Sequence, residues 1–337
     1  MPIVDRRRFI ALSAASLSLI ALPQDLLDEI FPGAKPPPAT HGRVITWWQA
    51  VRKSPAPDAE AVSWKQKDDV INLYAEVPGE PPWPTNPVWY LTTGGYIHSG
   101  YVQPVEDVRQ SEVIEEVEPP GFWAEVTVPF AEARWHPTSA YVAHKLYYGT
   151  IYRVVRAIED ADGDWWYQLH QGIAWSPGPY IPSWSVRRIR PDELTPIRPG
   201  VLDKWIKITL DDQRLRCLEG ERTVLGTRIG SGTWRTPTPR GEFRVVIQRH
   251  TRRMRGRIGG DRWDLPGVPY PVYFTYGGMA MHGTYWHNDY GRRHSRGCVN
   301  LPNEAAKWIF RWVEPSVPYS DYTLLSRAGE GTRVVVV

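Results

Sequence analysis

Along most of this chain apolar residues come in short runs that alternate with polar ones or are broken by proline and glycine. That is the spacing of strands, not of helices. Between Gly42 and about Val105 the runs are Arg43–Trp47, Asp69–Leu73, Trp89–Thr92 and Gly95–Ile97, which predicts a small barrel of about five or six strands. A second β-rich stretch runs from about Val126 to Ile197. Its hairpin is marked by Tyr152–Ile158, the turn Asp160-Ala161-Asp162-Gly163-Asp164, and Trp165–Leu169. After the linker-like Thr195-Pro196-Ile197-Arg198-Pro199-Gly200, strands are expected at Trp205–Leu210, Leu215–Leu218 and Thr223–Ile229, with a turn at Glu219-Gly220-Glu221. Asn303 reads as the N-cap of a helix over Glu304–Val313, with Ala305, Trp308, Ile309 and Trp312 on its apolar face. Val334–Val337 reads as a closing buried strand. The predicted fold class is mainly β with one clear helix.

The N-terminus follows a different pattern. Arg6, Arg7 and Arg8 precede Phe9 and an apolar run to Leu22 that is short for a membrane span and reads as the core of a secretory signal. Asp5-Arg6-Arg7-Arg8-Phe9-Ile10 resembles a twin-arginine export signal, although Asp5 stands where Ser or Thr is usual, so an ordinary secretory signal stays open. Either reading takes the protein out of the cytoplasm to the cell envelope, touching membrane only through this segment if it stays uncleaved. The domain plan is therefore an export signal at 1–23, a Pro-rich linker at 24–40, a first β module at 41–125, a second at 126–197, and a C-terminal domain at 201–337. Trp89 followed by Gly95-Tyr96-Ile97 resembles the closing strands of bacterial SH3-like domains.

Composition narrows the function classes. A length of 337 residues suggests two or three domains, and 42% hydrophobic with 23% charged residues excludes global disorder. A net charge of +3 is too small to imply nucleic acid as a partner. Seventeen Trp and 32 Pro fit many short strands, and exposed indoles also stack on sugar rings. With two cysteines only, Cys217 and Cys298, there is no disulfide framework and no cysteine-rich zinc module. A single bridge between them stays open; otherwise Cys217, in a predicted strand, reads as a small hydrophobe.

The candidate chemistry lies in Met281-His282-Gly283-Thr284-Tyr285-Trp286-His287-Asn288 and His294-Ser295-Arg296-Gly297-Cys298-Val299-Asn300-Leu301. A cysteine attacks carbonyls as thiolate, and an ordinary pKa of about 8.5 leaves little thiolate at neutral pH. A neighbouring imidazole that takes the proton overcomes this and, as an ion pair, keeps the sulfur charged. Gly297 permits a sharp turn, after which the amides of Gly297 and Cys298 are candidates for an oxyanion hole. Zinc ligation by His282, His287, His294 and Cys298 matches no common spacing and would consume the nucleophile. The basic stretch Arg249, Arg252, Arg253, Arg255 and Arg257 reads most simply as a solvated loop, alternatively as a flap that attracts carboxylates.

These residues resemble the YkuD-type L,D-transpeptidase family, whose signature is His-Gly, a spacer, then Ser/Thr-x-Gly-Cys with an apolar residue and Asn or Arg. Cys298 lies sixteen positions after His282, and an upstream hallmark is present as Ser231-Gly232-Thr233 and Thr236-Pro237-Thr238-Pro239-Arg240-Gly241-Glu242-Phe243. The resemblance covers about 135 residues and implies a β-sandwich catalytic domain. It implies Cys298 as nucleophile, His282 as base and the Gly283 carbonyl as the group that orients the imidazole. Ser295, Arg296, Asn300, Trp286 and Asn288 would contact substrate or line the cleft. Arg296 departs from the His that many members carry before Gly-Cys, which puts a role for that side chain in doubt. The implied reaction is attack on the third residue of a peptidoglycan tetrapeptide stem, loss of D-Ala, and transfer of the thioester to a neighbouring amine as a 3→3 cross-link, or to water. No cofactor is implied. The β modules would hold the enzyme on the cell wall. Papain-like wall hydrolases place Cys before His, and sortases separate the two more widely. The competing class is a non-catalytic wall-binding protein with a vestigial transpeptidase domain.

Overall fold

The computed structural model describes residues 33–170, 178–258 and 260–337. The expected export signal at 1–23 and most of the Pro-rich linker lie outside the described residues. The described residues form two compact units, one of residues 33–107 with Trp286–Asp289, the other of those from Val108 to Tyr285 with Tyr290–Val337.

In the first unit the apolar runs become two antiparallel sheets. One is ordered Ala61–Gln66, Trp48–Arg52, Gly95–His98, Val88–Thr92, Ala75–Pro78; the other Val70–Asn72, His41–Val44, Val102–Val105. Alternation along Val88–Thr92 sends Trp89 and Leu91 into a core with Ala75, Val77 and Tyr96, and Tyr90 into another with Val44, Ile71, Ile97 and Val102. Both faces of this strand are therefore covered.

The second unit begins with a seven-stranded sheet, ordered Val142–Tyr147, Phe130–Arg134, Tyr180–Pro182, Trp165–His170, Ile151–Glu159, Phe122–Val126, Val186–Arg188. The hairpin expected from the Asp/Gly turn is present, with Glu159 opposite Trp165 and Gly163 at φ +85°. From Lys204 the chain builds β1 (Lys204–Thr209), β2 (Arg214–Glu219), β3 (Arg222–Arg228), β4 (Gly241–Arg244), β5 (Ile247–Arg249), β6 (Thr251–Ile258), β7 (Asp261–Pro269), β8 (Val272–Tyr273), β9 (Ala280–Gly283) and β10 (Val299–Leu301). Helix α1 (Asn303–Trp312), β11 (Thr323–Leu325) and β12 (Arg333–Val336) complete it. One sheet is ordered β3-β2-β1-β12-β4 and the other β10-β9-β8-β5-β11. The closing strand pairs parallel to β1, Ile206 opposite Val334, and antiparallel to β4.

Between these two sheets Ile206, Ile208, Leu215, Cys217, Val334 and Val336 from one meet Val272, Met281, Val299 and Leu301 from the other, with α1 packed on them. Both cysteines are free thiols, and burial pushes that of Cys217 far up. Trp123, Ile151, Ile189 and Leu194 of the seven-stranded sheet and its trailing segment belong to the same core. Trp123 stacks on His250 and donates through Nε1 to Tyr319 O at 2.8 Å, while the buried Arg153 donates to Ser320 O at 2.7 Å.

Three expectations are corrected. Asn303 is the first helical residue after Pro302 and makes no cap; its Nδ2 donates to Gly149 O at 3.5 Å. The buried face of α1 is Ala306, Ile309, Phe310 and Trp312, with Trp308 only partly covered. The basic stretch is no solvated loop: Thr251–Ile258 pairs with Asp261–Pro269 as a hairpin. Arg253 bridges Asp264 at 2.5 Å, and Gly256 lies opposite Trp263, whose ring fills the space a side chain would take.

Candidate active site

The site is set by the parallel pairing of β9 with β10: Met281 opposite Val299, His282 opposite Asn300, Gly283 opposite Leu301. Because side chains alternate along a strand, Met281, Val299 and Leu301 enter the core while His282 and Asn300 share the other face. Cys298 immediately precedes β10, and its sulfur is hydrogen-bonded by the backbone of Ala280 at the start of β9. Two segments sixteen residues apart in sequence are thus neighbours in the sheet.

His282 is 2% exposed and its Nδ1 lies 2.9 Å from Gly283 O. A carbonyl only accepts, so Nδ1 carries the proton and Nε2 keeps a lone pair, the form a general base needs. Burial lowers the imidazole pKa to about 4, and the bond to Gly283 only partly offsets this. The partly buried Cys298 thiol is pushed up by desolvation, and the Ala280 N–H pulls it partly back. Its Sγ lies 3.8 Å from Gly278 O. Both shifts favour the neutral thiol and the neutral imidazole.

Each glycine of the motif has a steric reason. A side chain at Gly283 would run into Asn303 Oδ1 and Pro269, and Gly297 sits at φ +110° with Met279 Sδ where a Cβ would go. Ser295 is occupied inside the turn. Its hydroxyl donates to Cys298 O and accepts the Gly297 N–H at 3.1 Å. Of the two amides read as oxyanion donors, that of Gly297 is engaged by Ser295.

The upstream hallmark turns out to pack directly on the cysteine turn. Ser231 O accepts the amides of His294 and Ser295, Thr233 N donates to Ser295 O at 3.0 Å, and Thr238 Oγ1 donates to Gly297 O at 2.9 Å. Thr238 was part of the motif quoted from the sequence, but nothing in its spacing told of this bond. Arg296 is exposed and lays its guanidinium over the Trp263 ring of β7, 4.4 Å from the centroid. Asn300 is buried, its backbone bridged to Gly230. Trp286 and Asn288 fall in the segment that belongs to the first unit, where Asn288 Nδ2 donates to Ser99 O at 3.3 Å. Ala280, Thr238 and Trp263 are the contributors that sequence reasoning missed. Among the described residues no group of three or more His, Cys, Asp or Glu side chains is placed to hold a metal ion.

The family model for the YkuD L,D-transpeptidase catalytic domain matches residues 203–336. Over 111 residues the chain is 31% identical to a Bacillus licheniformis protein named as a YkuD L,D-transpeptidase; the match covers 31% of this chain and 57% of that protein. The chain thus spans little more than half of that relative. The catalytic domain of the Enterococcus faecium L,D-transpeptidase is 26% identical, covering 40% of this chain and 97% of that one, with a TM-score of 0.32. The Xylanimonas cellulosilytica L,D-transpeptidase is 28% identical, covering 40% and 60%, with a TM-score of 0.29. Residues 203–336 belong to the YkuD family of L,D-transpeptidase catalytic domains.

Proposed function

We propose that this protein is a peptidoglycan L,D-transpeptidase that works through a thioester on Cys298. The observation that supports the reading is the β9–β10 register, which pairs His282 with Asn300 while Cys298 stands immediately before the neighbouring strand. His282 Nε2 takes the thiol proton as sulfur attacks the carbonyl of the third stem residue. The same proton then goes to the departing D-Ala amine. The thioester is resolved by a neighbouring stem's amine, giving a 3→3 cross-link, or by water, giving carboxypeptidase activity. A low imidazole pKa and a raised thiol pKa support proton transfer in step with attack. The N-terminal β modules are read as wall-binding units, and residues 1–23 as an export signal that delivers the enzyme to the envelope.

Incubation with purified disaccharide-tetrapeptide followed by mass spectrometry tests the activity. Cross-linked dimer or tripeptide should form with loss of D-Ala, and Cys298→Ala should form neither. An intact substrate after incubation with folded enzyme would refute the proposal. For export, Arg6→Lys with Arg7→Lys should retain the protein in the cytoplasm; normal surface delivery would rule out the twin-arginine route.

A further inference from the structure

We propose that Thr238 is a positioning residue that aims the backbone N–H of Cys298 at the developing oxyanion, an inference that rests on the transpeptidase reading above. Thr238 is 2% exposed, and its hydroxyl is held on both sides: it accepts the Gly232 N–H at 2.9 Å and donates to Gly297 O at 2.9 Å. The acceptor is what matters. Gly297 O and the Cys298 N–H belong to one peptide unit, and in a trans peptide they point in opposite directions within one plane. Fixing the carbonyl therefore fixes the direction of the amide.

This control is needed at this point of the chain. Gly297 is at φ +110°, a conformation reached by glycine with little intrinsic preference, so the peptide that follows it is not oriented by its own sterics. The Gly297 N–H is held by Ser295 Oγ. That leaves the Cys298 N–H as the donor this turn offers to an oxyanion, and Thr238 as the side chain holding its peptide from the carbonyl end. The Thr238 platform is itself rigid. Gly232 is packed so closely under Thr236, Pro237 and Thr238 that a Cβ there would strike their backbone, and Thr233 and Thr236 both bond Ser295 O. The Thr-Pro-Thr-Pro segment thus acts on the chemistry through the backbone, without touching substrate.

The test separates oxyanion formation from thiol reactivity in the full-length protein. Thr238→Val keeps the shape and removes the hydroxyl; Thr238→Ser restores it. Two rates are measured for each: mass-detected acylation by ertapenem, which builds an oxyanion, and alkylation by iodoacetamide, which does not. Loss of one oxyanion donor costs about 10²–10³-fold in such reactions, so misaiming it in Thr238→Val should slow acylation by about 10–100-fold. Alkylation and its pH profile should stay at wild-type values, and Thr238→Ser should recover acylation to within about threefold of wild type. The role is overturned if Thr238→Val acylates normally, if alkylation falls in the same proportion, or if Thr238→Ser fails to recover. A wild-type protein that alkylates but never acylates would overturn the transpeptidase reading, and this role with it.

Discussion

His282 and Cys298 show how burial biases the protonation of a proposed base and nucleophile. The imidazole is lowered to about 4 and the thiol is pushed up, and both shifts favour the neutral forms. Alkylation of Cys298 by iodoacetamide should keep rising as pH is raised beyond neutrality, because more thiolate forms; a plateau reached below pH about 7 would indicate a preformed ion pair. His282→Ala should reduce acylation by about 10²–10⁴-fold, the usual worth of a general base. His294→Ala should cost little. Its amide donates to Ser231 O, a backbone tie that the substitution keeps. Arg296→His should leave the enzyme active, since Arg296 lies over Trp263 and, being always protonated, cannot accept the thiol proton. Inactive His294→Ala beside active His282→Ala would reverse these roles.

Helix α1 shows where pattern reading slipped at the scale of elements. Starting one residue earlier, after Pro302, it buries Phe310 and Ala306, not Ala305. Phe310 is 3% exposed and packs on Tyr270 and His250. Phe310→Ala should lower stability by about 3–5 kcal/mol, and Ala305→Ser by less than about 0.5 kcal/mol. Urea midpoints measure both; equal effects would mean that the face is assigned wrongly. The β6–β7 hairpin illustrates the opposite case. Five arginines in a short stretch look like solvent-facing loop, but alternation puts Met254, Gly256, Trp263 and Leu265 on one side and Arg253, Arg255 and Asp264 on the other.

At the scale of the whole molecule, burial of histidine couples stability to pH. His250 is lowered to about 3, by desolvation first and then by the Arg153 charge, and His282 to about 4. In the unfolded chain both titrate near about 6.5. As pH falls below that value the unfolded state takes up protons that the folded state refuses, so stability must fall. The melting temperature should decline between pH about 6.5 and about 4, and His250→Phe should flatten the decline. A pH-independent melting temperature over this window would contradict the burial of both rings. Trp123 joins the seven-stranded sheet to the sandwich, so Trp123→Ala should lower the stability of the catalytic sheets as well as its own.

The sequence by itself determined the strand-rich character, the Asp160–Asp164 hairpin, the first three strands after Lys204 with the closing one, and the motifs that mark the YkuD family. These features rest on local alternation, turn chemistry and short motifs, which need no knowledge of distant contacts. Tertiary structure alone decided the rest. The common core of Trp123 and Ile151 with Ile206 and Val334 involves residues far apart in the chain, and no local pattern encodes which apolar faces meet. The neutral state of His282 follows from desolvation, which depends on everything packed around it. The bond from Thr238 to Gly297 O joins positions 59 residues apart through a backbone atom. A sequence names side chains, whereas the direction of a carbonyl is fixed only when the chain has folded around it.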